Sequence, residues 1–200
     1  MQKVTTVEEN KKLIEKYPWL IPRSLWSGEV IEDYDYSWTE LDAMSRGWRI
    51  AFGDLLCEDI QAELEKFDWV NKFIILELKS KYGGLRLYYN GVPKGCKVSD
   101  IIDDYSHLSE YICEICGELD VPSTDGWIMP VCKECIIKMS IKDPEEYWDK
   151  LSEQQTPHTL PLSRRYKIWS LGKDDWEDVT VDLTDRVKRI RKKYAERTGR

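Results

Sequence analysis

The sequence predicts an α+β fold: a small domain mixing helices with an antiparallel hairpin, an embedded four-cysteine ribbon and a C-terminal extension. Three observations predict it. Phe52, Leu56, Ile60, Leu64 and Phe67 recur at spacings of four, four, four and three and mark an amphipathic helix. Two short runs flank Gly83-Gly84 in "LKSKYGGLRLYY" and mark a hairpin. Four cysteines stand in two C-x2-C pairs, fifteen residues apart.

The chain has 200 residues, enough for one domain or one domain plus a small extension. Nine tryptophans and a 12% aromatic content supply a sizeable core. A net charge of -7 argues against a general nucleic-acid binder. The charge is unevenly spread. Residues 28–68 hold twelve acids against three bases, and residues 181–200 hold eight bases against three acids. The start, "MQKVTTVEENKK", lacks the apolar stretch of a secretory signal, and no run has the length of a membrane span. These features predict a cytoplasmic protein without membrane contact, and in a reducing cytosol clustered cysteines bind metal rather than pair.

Residues 7–17 read as a short helix ended by Pro18, and "YPWLIPRSLWSG" as an extended segment packed on the core. The acidic, aromatic residues 34–47 read as loop with a helical turn. The amphipathic helix covers residues 54–67. In "KFIILELK" Ile74, Leu76 and Leu78 are expected inward, and the second hairpin strand covers residues 85–90. Residues 98–111 read as a helix and residues 111–138 as the ribbon, closing a domain at about residue 140. In the extension, residues 141–200, Pro144 opens a helix, "QQTPHTLPLS" is a linker, "RRYKIWSL" and "DVTVDL" read as strands, and residues 185–197 read as a basic terminal helix.

Cys113, Cys116, Cys132 and Cys135 carry the strongest chemical signal. Two residues between cysteines let both sulfurs of a pair face one ion, and two pairs make a tetrahedral four-sulfur site for one Zn2+. Four thiolates leave no position for water, so the site is expected to be structural. An Fe–S cluster is the alternative occupant. Cys57 reads as a small core residue and Cys96 as a loop residue, with neither histidine, His107 or His158, close in sequence for nucleophilic chemistry. No phosphate-loop, dinucleotide, nucleophile-elbow or H-E-x-x-H motif is present.

With Gly83-Gly84 as the hairpin loop, Tyr82 faces Leu85, Ser80 faces Leu87 and Leu78 faces Tyr89, leaving Lys81 opposite Arg86 and Lys79 opposite Tyr88 on the other face. Two readings stand for Lys79, Lys81, Gly83, Gly84, Arg86 and Tyr88: an internal pairing, with Glu77 on the same face, or a site for an anion or an acidic partner. The acidic region is either solvated surface or a face that imitates nucleic acid or docks on a basic partner. The terminal helix is a solvated helix packed by Val187, Ile190 and Tyr194, a phosphate contact, or a neutraliser of the acidic region.

"YPWLIPR", "DYDYSWTELDAM" before "RGWRIAFG", "KSKYGGLRLYYNG" and "CEICG" followed by "GW" and "VCKEC", in this order, resemble a group of uncharacterised small zinc-ribbon proteins of bacteriophage and prophage genomes. The resemblance covers about residues 11 to 138. It implies a phage-associated origin and the cytoplasm of a bacterial host, and it names no activity. The expectation is a non-enzymatic zinc-binding accessory protein that binds a host protein, in its specific form a counter-defence inhibitor. The alternatives are a nucleic-acid-binding regulator and a protein that sequesters a small phosphorylated ligand at the basic hairpin.

Overall fold

The computed structural model describes residues 5–24, 26–154, 158–170 and 172–199. It mixes helices with two separate two-stranded antiparallel sheets. Helix α1 (Val7–Lys16) opens on a capping box, in which Thr6 accepts from the Glu9 amide and the Glu9 carboxylate accepts from the Thr6 amide. The segment after it packs on the core only in its first part, as a 3-10 turn (Pro18–Leu20) with Trp19 and Leu20 buried, whereas Trp26 of the same stretch stands in solvent. Trp19 donates its indole N–H to Gln61 at 2.9 Å, so the ring is buried without an orphaned donor.

A second 3-10 turn (Glu40–Ala43) leads into α2 (Arg46–Trp48), a π-wound turn (Arg49–Gly53) and α3 (Asp54–Glu65). The wide turn brings Arg49 inward, where it is buried and paired with Asp42. Leu56, Ile60 and Leu64 of the predicted stripe are buried on α3, and Phe52 is buried in the π turn ahead of it.

The first hairpin pairs β1 (Ile75–Lys81) with β2 (Gly84–Tyr89). Its loop is Tyr82-Gly83, one residue earlier than the sequence predicts, with both residues at positive φ (53° and 73°) as a tight mirror-image turn requires. Lys81 therefore faces Gly84, and Arg86 faces Lys79. Moving the loop by one position changes partners but preserves faces, so Leu78, Leu85 and Leu87 still point to the core. The start of β1 departs from expectation. An irregularity between Ile75 and Glu77 turns Ile75 inward and leaves Leu76 in solvent.

Helix α4 (Val98–Ser109) packs on β2 and α3 through Val98, Ile101, Tyr105 and Leu108. The ribbon follows and ends in α5 (Lys133–Ile137). Helix α6 (Pro144–Gln154) lays Leu151, Tyr147 and Trp148 on a small second core built around the cysteines, Val121, Val131 and Ile136. Gln155 to Pro157 of the expected linker lie outside the described residues. The second hairpin joins β3 (Ser163–Ser170) to β4 (Asp175–Asp182), and Trp169 and Trp176 face each other with ring centroids 5.5 Å apart. Helix α7 (Thr184–Thr198) returns to the main core, where Leu183, Val187 and Ile190 are buried beside residues of α3 and α4. The chain beyond residue 140 thus contributes side chains to both cores. No helix among the described residues is long and apolar enough to cross a membrane.

Candidate functional site

Cys113, Cys116, Cys132 and Cys135 converge, with their sulfurs all within 4.8 Å of one another and Cys116 Sγ 3.5 Å from Cys132 Sγ. A tetrahedron of sulfurs at the usual zinc distance has edges of about 3.8 Å, so the set has the size and chemistry to hold one ion. Local backbone geometry aims the thiols. The Gly117 amide donates to the Cys113 carbonyl at 2.9 Å, and Gly117 takes a φ of 78° that closes the first turn. In the second pair the Cys135 and Ile136 amides both donate to the Cys132 carbonyl at the start of α5. Isolated bridges at Ile112–Leu119 and Ser123–Pro130 pin the two pairs, and the Glu114 amide donates to the Pro130 carbonyl at 2.9 Å.

The sulfurs cannot all ionise side by side without a cation between them. Hydrogen bonding with Cys116 and Cys132 pulls the Cys113 thiol down, whereas bonding to Cys113 and Cys116 pushes Cys132 up and burial pushes up Cys135. One divalent zinc held by Cys113, Cys116, Cys132 and Cys135 would supply the positive charge that lets these sulfurs stay deprotonated together. All four positions would be protein sulfurs, which makes the ion a structural one.

The chain supports the first pair from outside. Gly47 donates its amide to the Glu114 carbonyl at 2.9 Å, Trp48 donates its indole N–H to the Ile112 carbonyl at 2.9 Å, and Ser45 bonds Glu114 at 2.7 Å. From the opposite end of the sequence, α7 grips the residues just after it. Arg197 donates to the carbonyls of Cys116 (2.9 Å) and Gly117 (3.1 Å), Tyr194 bonds Glu118, and Arg191 pairs with Asp120 at 2.9 Å. Spacing alone could not reveal these α7 partners, because each lies some seventy to eighty residues along the chain from the residue it contacts.

The hairpin cations have partners close by. Lys79 pairs with Glu77 at 2.7 Å and lies over the Tyr88 ring, and Lys81 lies over the Tyr82 ring. Arg86 donates to Ser106 (2.6 Å) and to the Leu85 carbonyl (2.8 Å), beside Glu110, whose carboxyl burial pushes up. Gly84 makes room for this group, because a Cβ there would lie 2.8 Å from the Arg86 guanidinium and 3.3 Å from Glu110. Gly83 lies against the ribbon, where a Cβ would come within 2.9 Å of Ile128.

That contact creates a cleft of about 300 Å³ between hairpin turn and ribbon tip, lined by Ser80, Lys81, Tyr82, Glu114, Trp127 and Ile128. Tyr82 is 72% exposed and Trp127 87% exposed. Trp127 enters the sequence reading only within the "GW" of the resemblance, with no role assigned, and Ile128 not at all; an aromatic–aliphatic pair at the tip of a ribbon was the available signal. Cys57 is buried in α3 and burial pushes its thiol up, which makes it an inert core residue. His107 is half-buried on α4 with its ring 5.8 Å from Tyr111, and burial pulls its pKa down.

Comparison with protein families, with curated proteins and with solved structures finds no match to this chain.

Proposed function

We propose that the chain is a non-enzymatic binding protein in which one structural zinc holds a recognition surface in shape. The cleft at the junction of hairpin and ribbon carries the reading. Two large aromatic side chains stand in water there, where the cysteine-held tip meets the hairpin turn through Gly83. The hairpin cations support a protein contact better than an anion site, because Lys79 and Arg86 are engaged by Glu77 and Ser106. The sequence resemblance supports the finer form of the reading: a phage or prophage accessory protein that binds a protein of the bacterial host, as a counter-defence inhibitor.

Native mass spectrometry of the gently purified protein tests it. The expected species carries one zinc and a bacterial protein, and Trp127→Ala keeps the zinc while losing the protein. A small anionic molecule in place of the protein would overturn the reading in favour of sequestration.

A further inference from the structure

The fold divides the acidic stretch of residues 28–68 into two parts with different fates. On α3 every carboxylate but Glu65, which accepts from the Gln61 amide, is engaged by a cation. Lys193 pairs with Asp54, Arg189 with Glu58 and Asp59, Arg186 with Asp59, and Lys66 with Glu63. The basic terminal helix is thus largely committed to this protein's own acids. In the earlier part, Glu29, Glu32 and Asp33 are exposed, and no cation among the described residues pairs with them. The same loop holds Trp26 entirely in solvent (100% exposed), with Val30, Ile31 and Trp38 each 40% exposed.

This loop is tied down at its base. Arg23 and Val30 form an antiparallel bridge, the Ser24 amide donates to the Glu29 carbonyl at 2.8 Å, and Gly28 donates back to Ser24 at 2.8 Å. Farther on, the Tyr34 and Tyr36 rings lie 4.9 Å apart, and the Asn10 side chain donates to the Tyr36 carbonyl at 2.9 Å. A loop of this length without regular structure is uncommon in a compact domain and is characteristic of contact surfaces. A tryptophan held in water gains free energy only when something covers it.

We propose that the loop from Trp26 to Trp38 is an interaction surface for a cationic protein partner, one that presents lysine or arginine side chains around an apolar pocket for the Trp26 indole. Charge complementarity selects this occupant. Carboxylates beside the tryptophan repel the phosphates of nucleic acid and of anionic lipid. A second copy of the chain is a poor complement, because its most basic element already faces its own α3 and ribbon. The surface uses residues other than those of the hairpin–ribbon cleft, and the inference stands without that reading.

The test is fluorescence anisotropy of a labelled peptide of alternating arginine and leucine, titrated with the full, zinc-loaded chain. Binding should weaken about tenfold or more in Trp26→Ala, the size expected of a central aromatic anchor. The triple change Glu29→Gln, Glu32→Gln, Asp33→Asn should weaken binding and flatten its salt dependence. A control with the same charge loss on α6, Glu145→Gln, Glu146→Gln, Asp149→Asn, should leave binding unchanged, and all variants should melt with the parent. Equal loss in the control would reduce the effect to net charge and overturn the proposal. Absent peptide binding at low salt, an unaffected Trp26→Ala, or preferential binding to anionic vesicles or single-stranded DNA would also overturn it.

Discussion

Gly47 and Gly117 meet backbone to backbone at the foot of the cysteine cluster. A Cβ on Gly117 would sit 2.6 Å from the Gly47 carbonyl oxygen, and one on Gly47 would sit 2.7 Å from the Gly117 amide nitrogen while overlapping the Cys113 carbonyl. The helix entering the main core and the first cysteine turn can approach this closely only because both residues lack side chains.

Gly117→Ala therefore combines a steric overlap with an unfavourable φ of 78°. The expected loss is about 2–3 kcal/mol, read from denaturant midpoints. Gly126→Ala is the matched comparison. Its φ is 74° but nothing lies within 4 Å of the new Cβ, so it should cost about 1 kcal/mol. Equal losses would show that the contact with Gly47 contributes nothing.

Cys116→Ser leaves three thiolates, which should weaken zinc binding and unfold the ribbon together with α6, whose Leu151, Tyr147 and Trp148 pack on the cysteine core. Zinc content by mass spectrometry and melting by circular dichroism check this. A strong chelator should reproduce the effect in the unaltered protein, and lowering the pH should release zinc because protons compete for the thiolates. Unchanged zinc content and melting in Cys116→Ser would remove the metal assignment.

Arg197→Ala deletes two charged hydrogen bonds to the carbonyls of Cys116 and Gly117. A loss of about 1–3 kcal/mol is expected. Hydrogen exchange should quicken at residues 113–120 and along α7 while the first hairpin keeps its protection. Acceleration confined to α7 would show that the helix does not brace the cysteine turn.

Burial pushes the Glu40 carboxyl up to about 7. Its folded pKa then exceeds the unfolded value of about 4.3, so the native state binds more protons between these values and stability falls as pH rises across that window. Glu40→Gln should raise Tm by about 2–4 °C at pH 8 and change it little at pH 4. A variant with the same pH dependence as the parent would place the effect elsewhere.

Arg86→Glu reverses the charge beside Glu110 and abandons Ser106 and the Leu85 carbonyl. A drop of about 2 kcal/mol or more is expected in urea unfolding. Unchanged stability would return Arg86 to the role of an external contact.

The sequence by itself determined the features that repeat at short range. The stripe on α3, the two C-x2-C turns and the strands of both hairpins each depend on residues within a few positions of one another. The hairpin faces were also legible, because the inside–outside alternation of Leu78, Leu85 and Leu87 survives a shift of the loop. Which two residues turn was not: Gly83 must occupy the crowded spot against Ile128, and that neighbour comes from the ribbon. The inward turn of Ile75 likewise depends on an irregular pairing with β2. Tertiary structure alone decided where the charges go. It set the basic α7 against Asp54, Glu58, Asp59 and Asp120, and left Glu29, Glu32 and Asp33 in water. Coulomb attraction acts through space, and composition along the chain says which charges exist but not which of them meet.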